Sequence, residues 1–280
     1  MPKASVAKRA PGTPPAVRRG YFECRYGQLH VFNSMPPGGG FEEGTTLLCL
    51  HETPMTGRMF TGVLGLLARD RSVYAPDLPG YGDSEPPSSR PTIEDYAAAV
   101  GDFLDTMRFR QIDLLGCQTG ALIAAELALA RPAQVRRVVW SSVPVLNDSE
   151  REDFLRSPWP APPDEDGSYL GAEWRRTAET AGQPVPLEVA ARRLAESLRN
   201  GANASWGMHA TVRYPARERL RLVTQPVLVL CPHDQFWEPT LRVHELLPKA
   251  RIVDLPKYGT GWCEAVPEAL VGSVAEFLQS

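Results

Sequence analysis

Gln118 stands at the middle of Gly116-Cys117-Gln118-Thr119-Gly120, between the apolar run Ile112-Asp113-Leu114-Leu115 and the small-residue stretch 121–128. A buried strand, a five-residue turn with glycine at both ends and a following helix have the form of the G-x-S-x-G elbow. There the outer glycines permit a strained reversal and the central side chain is thrust forward. Ser, Cys or Asp at the tip would be a nucleophile, but a carboxamide has no comparable oxygen or sulfur. Cys117 is the neighbouring thiol, and one place before the tip it should point into the core.

Alternating strands and helices must hold this turn. The segments 21–25 and 28–32 flank Tyr26-Gly27 as an antiparallel hairpin. The continuous apolar run 45–50 reads as a strand buried on both faces of a parallel sheet, ending at His51-Glu52-Thr53-Pro54. Helical spacing follows over 56–68 and over 92–107, the latter with Thr92 and Glu94 at a capped start. Strands are expected at 73–75, 135–140, 227–230 and 252–255, with a last helix over 267–278. This order implies an α/β fold with a doubly wound, mostly parallel sheet. The stretch 147–222 has no strand signal and includes the helical segment 187–198, which implies a helical cap over the carboxyl edge of the sheet, where ligands bind. The core is then 20–146 with 223–280.

Residues 1–19 are basic and acid-free, without the apolar centre of a secretory signal, and read as a disordered basic tail. The chain of 280 residues has a formal net charge of −3, so no nucleic-acid partner is expected. No apolar run is long enough to span a membrane. Five widely spaced cysteines without CxxC or clustered histidines read as reduced thiols, giving a cytoplasmic location and no metal site. Only four of the 30 basic residues are lysine, a usage associated with GC-rich bacterial genomes.

Several motifs then occur in a shared order: His51 after the third strand, Asp77-Leu78-Pro79-Gly80-Tyr81-Gly82-Asp83-Ser84, the elbow, and Val227-Leu228-Val229-Leu230-Cys231-Pro232-His233-Asp234. From about residue 20 to 279 the chain resembles a capped α/β-hydrolase-fold protein. The resemblance puts the nucleophile position at Gln118 and the acid of the triad at Asp234. The family's histidine falls in Pro256-Lys257-Tyr258-Gly259-Thr260-Gly261-Trp262-Cys263-Glu264-Ala265-Val266-Pro267-Glu268, where Thr260 takes its place. The usual His-Gly of the oxyanion loop reads His51-Glu52. Loss of nucleophile or base costs a triad enzyme roughly 10⁶ in rate, or about 8 kcal/mol of barrier, so triad hydrolysis is not expected.

Other functions survive these losses. The N–H groups of Thr119 and of Glu52 or Thr53 can still form an oxyanion hole, and Gln118 can orient a carbonyl beside them. Glu52 and Asp234 could move protons if burial raises their pKa values. His51 and His209 are candidate substrate contacts, each with a plain structural alternative. Trp159, Trp206, Trp237 and Trp262, with Trp174, Phe154, Phe236 and Tyr258, suggest a large, flat, hydrophobic aromatic ligand; no phosphate cradle or cofactor is expected. Members of the superfamily in bacterial natural-product and antibiotic biosynthesis perform cyclisation and Michael-type C–C bond formation, including the joining of anthraquinone and enediyne parts. The resemblance therefore implies a cofactor-independent, non-hydrolytic enzyme acting on a polyketide-like metabolite by carbonyl polarisation and proton transfer. A catalytically inactive small-molecule-binding homologue and an atypical hydrolase are the alternatives, and a homodimer is allowed.

Overall fold

The computed structural model describes residues 13–37, 44–156, 163–181 and 185–279. Strands β1 (Arg18–Cys24) and β2 (Gly27–Ser34) form the hairpin, and β3 (Gly44–Leu50) enters the sheet centre. A 3-10 turn (Gly57–Phe60) leads into α1 (Thr61–Leu67), β4 (Arg71–Pro76), α2 (Ile93–Thr106), β5 (Ile112–Cys117), α3 (Thr119–Ala130) and β6 (Val135–Ser141). Between the sixth and seventh strands come α4 (Asp148–Arg156), α5 (Ser168–Thr180), α6 (Leu187–Arg199), α7 (Trp206–Arg213) and α8 (Ala216–Leu220). The chain closes with β7 (Val227–Pro232), α9 (Trp237–Leu241), α10 (Val243–Leu246), β8 (Arg251–Leu255), α11 (Trp262–Ala265) and α12 (Pro267–Gln279).

The eight strands lie in the order β1-β2-β4-β3-β5-β6-β7-β8. β2 runs antiparallel to β1 and β4, and every later pairing is parallel. Parallel strands need covering on both faces, and two apolar clusters do this. One packs α2 and α3 through residues such as Phe103, Leu122 and Ile123. The other packs α1 and α12 through Val63, Leu64, Leu270 and Val274. α3 is buried nearly all round, as its unbroken small and apolar sequence requires.

Three boundaries differ from the sequence expectation. The hairpin takes up Arg18 and Arg19, because both pair with β2 opposite Asn33 and Phe32. The expected helix over 56–68 is split, since Asp77 takes the Gly57 N–H and tightens the first turn into a 3-10 geometry. At the start of α2 the reciprocal cap of Thr92 is Asp95, three residues on, which is the spacing a capping box requires.

The cap divides by how it is fastened. α7 and α8 press on α3: Thr211 bonds Thr119 at 2.9 Å, and Arg219 holds Glu126 through two bonds of 2.6 and 2.8 Å. α4 buries no residue, and α5 buries only Glu173 among its described side chains. Ion pairs tie α4 through Arg242 to Glu150, and α6 through Arg58 to Glu196 and Arg199 to Asp83.

Candidate active site

The elbow is built as its spacing predicted. Gln118 has φ 49° and ψ −113°, a left-handed backbone for a residue with a side chain, and its N–H donates to Ser141 O at 2.9 Å. The glycines are required by close approach rather than by φ. A Cβ on Gly116 would lie 2.3 Å from Gly120 O, and one on Gly120 would lie 2.1 Å from Leu50 O. α3 therefore meets β5 and the end of β3 with no room for any side chain, and Gln118 is left at the tip, 4% exposed. Cys117 points into the core below the elbow.

Gln118 faces a cavity of about 320 Å³ roofed by the cap. Its apolar lining comes from Met55, Phe154 and Met208, and its polar lining includes Thr53, Gln118, Ser197 and Thr260. Glu52 and Thr260 also line an adjoining void of about 10 Å³ that reaches Asp234 and Ser141. That space is about the least that holds one water. The Thr260 Oγ1 and Ser141 Oγ atoms, in residues that both line this void, are buried without a hydrogen-bond partner among the described residues.

Asp234 accepts the Ser142 hydroxyl at 2.6 Å and the Phe236 N–H at 2.9 Å. Burial pushes its pKa up to about 6, against the lowering effect of those two donors. Ser142 itself has φ 58°, a strained setting that aims its hydroxyl at the acid.

Glu52 is not free to shuttle protons. Its carboxylate is paired with Arg193 from α6, and the same guanidinium bonds Glu264 at 2.6 Å. Although burial pulls the guanidinium down, the two acids together raise it above its ordinary range. Burial raises Glu264, with Arg193 opposing. A cap helix, the oxyanion loop and the α11 turn are thus pinned at one buried point.

Among the described residues, neither the Thr53 N–H nor the Thr119 N–H is spent on a turn, loop or cap bond. Thr119 opens α3, where the first amides have no helical partner. The Thr53 and Thr119 hydroxyls bond each other at 2.9 Å, and Thr119 bonds Thr211 in turn, tying loop, elbow and cap into one chain.

Several expected contacts lie elsewhere. His51 is wholly buried, with Nδ1 donating to Glu52 O and Nε2 accepting the Leu78 N–H, each at 2.8 Å. Burial lowers its pKa, so it is a neutral strut. His209 sits between Arg90 and Arg213 on the flank of α7, its pKa lowered by burial and by both arginines. Trp206 packs on Gly80 and Trp237 tilts against His233, whereas Trp262, stacked on Tyr258 in the core, lines the small void beside Asp234. Trp159 lies outside the described residues. Of the aromatic residues that suggested a flat ligand, Phe154 lines the cavity, stacked on Phe236. His30, Asp77 and Asp83 lie close enough to bracket a cation, but their atoms already serve each other, the Gly57 N–H and Arg199.

Sequence reasoning missed Arg193, Glu264, Ser142 and Ser197. A signal existed for two of them. Val189, Ala190, Arg193 and Ser197 share one face of α6, so a charge and a hydroxyl stood on its apolar stripe.

Known proteins agree with this architecture. The chain is 24% identical over 84% of its length to the putative 2-succinyl-6-hydroxy-2,4-cyclohexadiene-1-carboxylate synthase of Bacillus subtilis, covering 90% of that protein. It is 41% identical over 28% of its length to the 2-hydroxymuconate semialdehyde hydrolase of Pseudomonas sp. strain CF600, again 28% of that protein. Several other curated matches likewise span only about a third of the relative. The crystal structure of the enol-lactonase from Burkholderia xenovorans superposes with a TM-score of 0.73 at 16% identity, over 93% of this chain and all of that one. The expectation of a non-hydrolytic, C–C bond-forming biosynthetic enzyme is overturned here: beside that putative synthase, the relatives named by activity are a hydrolase, an esterase and a dehalogenase. With the sequence model of the Alpha/beta hydrolase family matching residues 38–272, on a sheet of this order and around this elbow, the chain belongs to the α/β hydrolase family.

Proposed function

We propose that the protein is an atypical hydrolase of acyl compounds that works without a covalent intermediate. The observation that carries this reading is the pairing of two intact features: unspent Thr53 and Thr119 amides beside Gln118, and Asp234 on a water-sized void that adjoins the same cavity. The substrate carbonyl points its oxygen at the two amides, where negative charge develops on attack. Gln118 lies at the nucleophile's usual place and donates a further hydrogen bond. A water in the void next to Thr260 gives a proton to Asp234 and attacks the carbonyl carbon. A base of pKa about 6 is largely ionised at neutral pH and still basic enough to accept that proton.

The test is to offer a panel of esters and lactones in ¹⁸O-water, and separately a fluorophosphonate probe. Hydrolysis with one ¹⁸O in the acid product, no labelling by the probe and no transfer of the acyl group to added hydroxylamine are expected. Labelling at a serine or cysteine would replace the direct-attack mechanism with a covalent one. Absence of turnover on the whole panel would favour a binding homologue instead.

A further inference from the structure

Glu52 lines the cavity and also the water-sized void where Asp234 stands, so two carboxylates share one small space. Like charges around a common site oppose each other's ionisation. Glu52 also precedes Thr53, whose N–H is a candidate oxyanion donor. An uncompensated carboxylate there would work against the negative charge that grows on the carbonyl oxygen. Among the described residues no cation lines the void itself. The compensating charge comes from the cap: Arg193 of α6, 5% exposed, pairs with Glu52 and bonds Glu264 of α11 at 2.6 Å. For Asp234, burial raises the pKa and the Ser142 and Phe236 donors lower it; Glu52 then raises it further and Arg193 opposes.

The other charged and titratable groups near Asp234 are engaged or neutral. His233 turns away to Asp254, at 2.9 Å. The Cys231 thiol is pushed up to about 12 by burial, and that of Cys263 is raised by its hydrogen bond to Cys117 and by burial. Asp153 of α4 and Arg176 of α5 line the cavity but not the void, and each has a partner on its own helix, Arg156 at 2.8 Å and Glu173 at 2.6 Å.

We propose that Arg193 is a positioning residue of the reaction: by neutralising Glu52 from the cap, it lets Asp234 stand as a carboxylate beside the attacking water, so that the base works while α6 is seated. The role in turnover rests on the hydrolase reading, whereas the coupling of Arg193, Glu52 and Asp234 does not. In the reaction Asp234 takes one proton from the water as the water oxygen bonds to the carbonyl carbon. It passes that proton to the leaving alcohol as the acyl C–O bond breaks, and the new acid loses the other to solvent.

The experiment follows the side-chain carbon of Asp234 by NMR in protein labelled with ¹³C-aspartate, its signal assigned by absence from Asp234→Asn. The unaltered protein should titrate near 6. Glu52→Gln should lower the midpoint by about one pH unit and Arg193→Met should raise it by about as much, while Arg193→Lys, which keeps the charge, should hold it near 6. The midpoints of the pH–rate curves should move in the same directions. A residue that merely pins the cap would change stability and leave these midpoints where they are. An Asp234 titration unmoved by Glu52→Gln would overturn the proposal, as would a midpoint in Arg193→Lys displaced as far as in Arg193→Met. If Arg193→Met does not fold, Glu52→Gln and Arg193→Lys still decide. Shifted titrations without turnover on any ester or lactone would uphold the coupling and reject the hydrolase reading, and turnover with unshifted titrations would do the reverse.

Discussion

Asp234 is held under two opposed demands, and each gives a measurable consequence. As a base it must be ionised, so the rate should rise with pH through about 6 and level off above it. Asp234→Asn should cut turnover by roughly 10²-fold or more, read as initial rates on the best substrate of the panel. As a buried acid its ordinary value of 3.8 is raised to about 6, so the folded state holds the proton more tightly than the unfolded one. The stability linked to that proton is present below pH 3.8 and lost as pH rises through 6. Asp234→Asn should accordingly stabilise the protein at pH 7.5, by up to about 3 kcal/mol, with the gain gone at pH 4 in parallel urea titrations. A loss of activity with a gain of stability separates a working group from a merely structural one. Gln118 shows what one residue's identity can and cannot say. Its position was legible from the flanking glycines, whereas its replacement chemistry was not, because that depends on Asp234, Ser142 and Thr260 meeting from three distant segments.

At the scale of elements, the close contacts of the elbow and of α6 dominate. Gly116→Ala and Gly120→Ala each put a Cβ within 2.3 Å of backbone oxygen or closer, so α3 would have to move away from β5 in the first case and from the end of β3 in the second. A loss of more than about 4 kcal/mol, or failure to accumulate in soluble form, is expected. Arg193 ties α6 to Glu52 and Glu264. Arg193→Met should destabilise by about 3–5 kcal/mol by leaving buried carboxylates unpaired. The triple change with Glu52→Gln and Glu264→Gln should recover most of that loss in the same denaturation assay. Strands, helices and the capped start of α2 were readable because period and capping are local properties. The split of the 56–68 helix was not, since its cause is the distant Asp77 carboxylate. The aromatic residues misled for a related reason: composition gives their number but not their direction, and Trp262 turned inward while Trp206 turned to the Gly80 loop.

The whole molecule keeps the frame of its family, with Gln118 at the tip of the elbow. Restoring Gln118→Ser together with Thr260→His should create esterase activity toward p-nitrophenyl acetate and labelling by fluorophosphonate, with neither single change sufficient. A folded double variant inert to both would show that the acid, elbow and α11 turn are not in working register. Sheet order and family were legible because several motifs recur in one order along the chain, and no single motif carries them. The buried Glu52–Arg193–Glu264 cluster was not, because its members are 141 and 71 residues apart in their pairings.

The uneven fastening of the cap sets how traffic through the pocket responds to solution conditions. The inner cap is anchored on α3 by buried side chains, while α4 and α5 lie over the cavity with almost no apolar burial, and partly exposed ion pairs hold α4 through Glu150 and α6 through Glu196 and Arg199. Such pairs weaken as dissolved ions shorten the range of electrostatic attraction to a few ångströms. Raising salt from 0.05 to 0.5 M should therefore speed amide hydrogen exchange in α4 by several-fold, with β5 and α3 unmoved. Ligand residence time should shorten in step, making ionic strength a throttle on passage beneath a roof whose floor stays fixed.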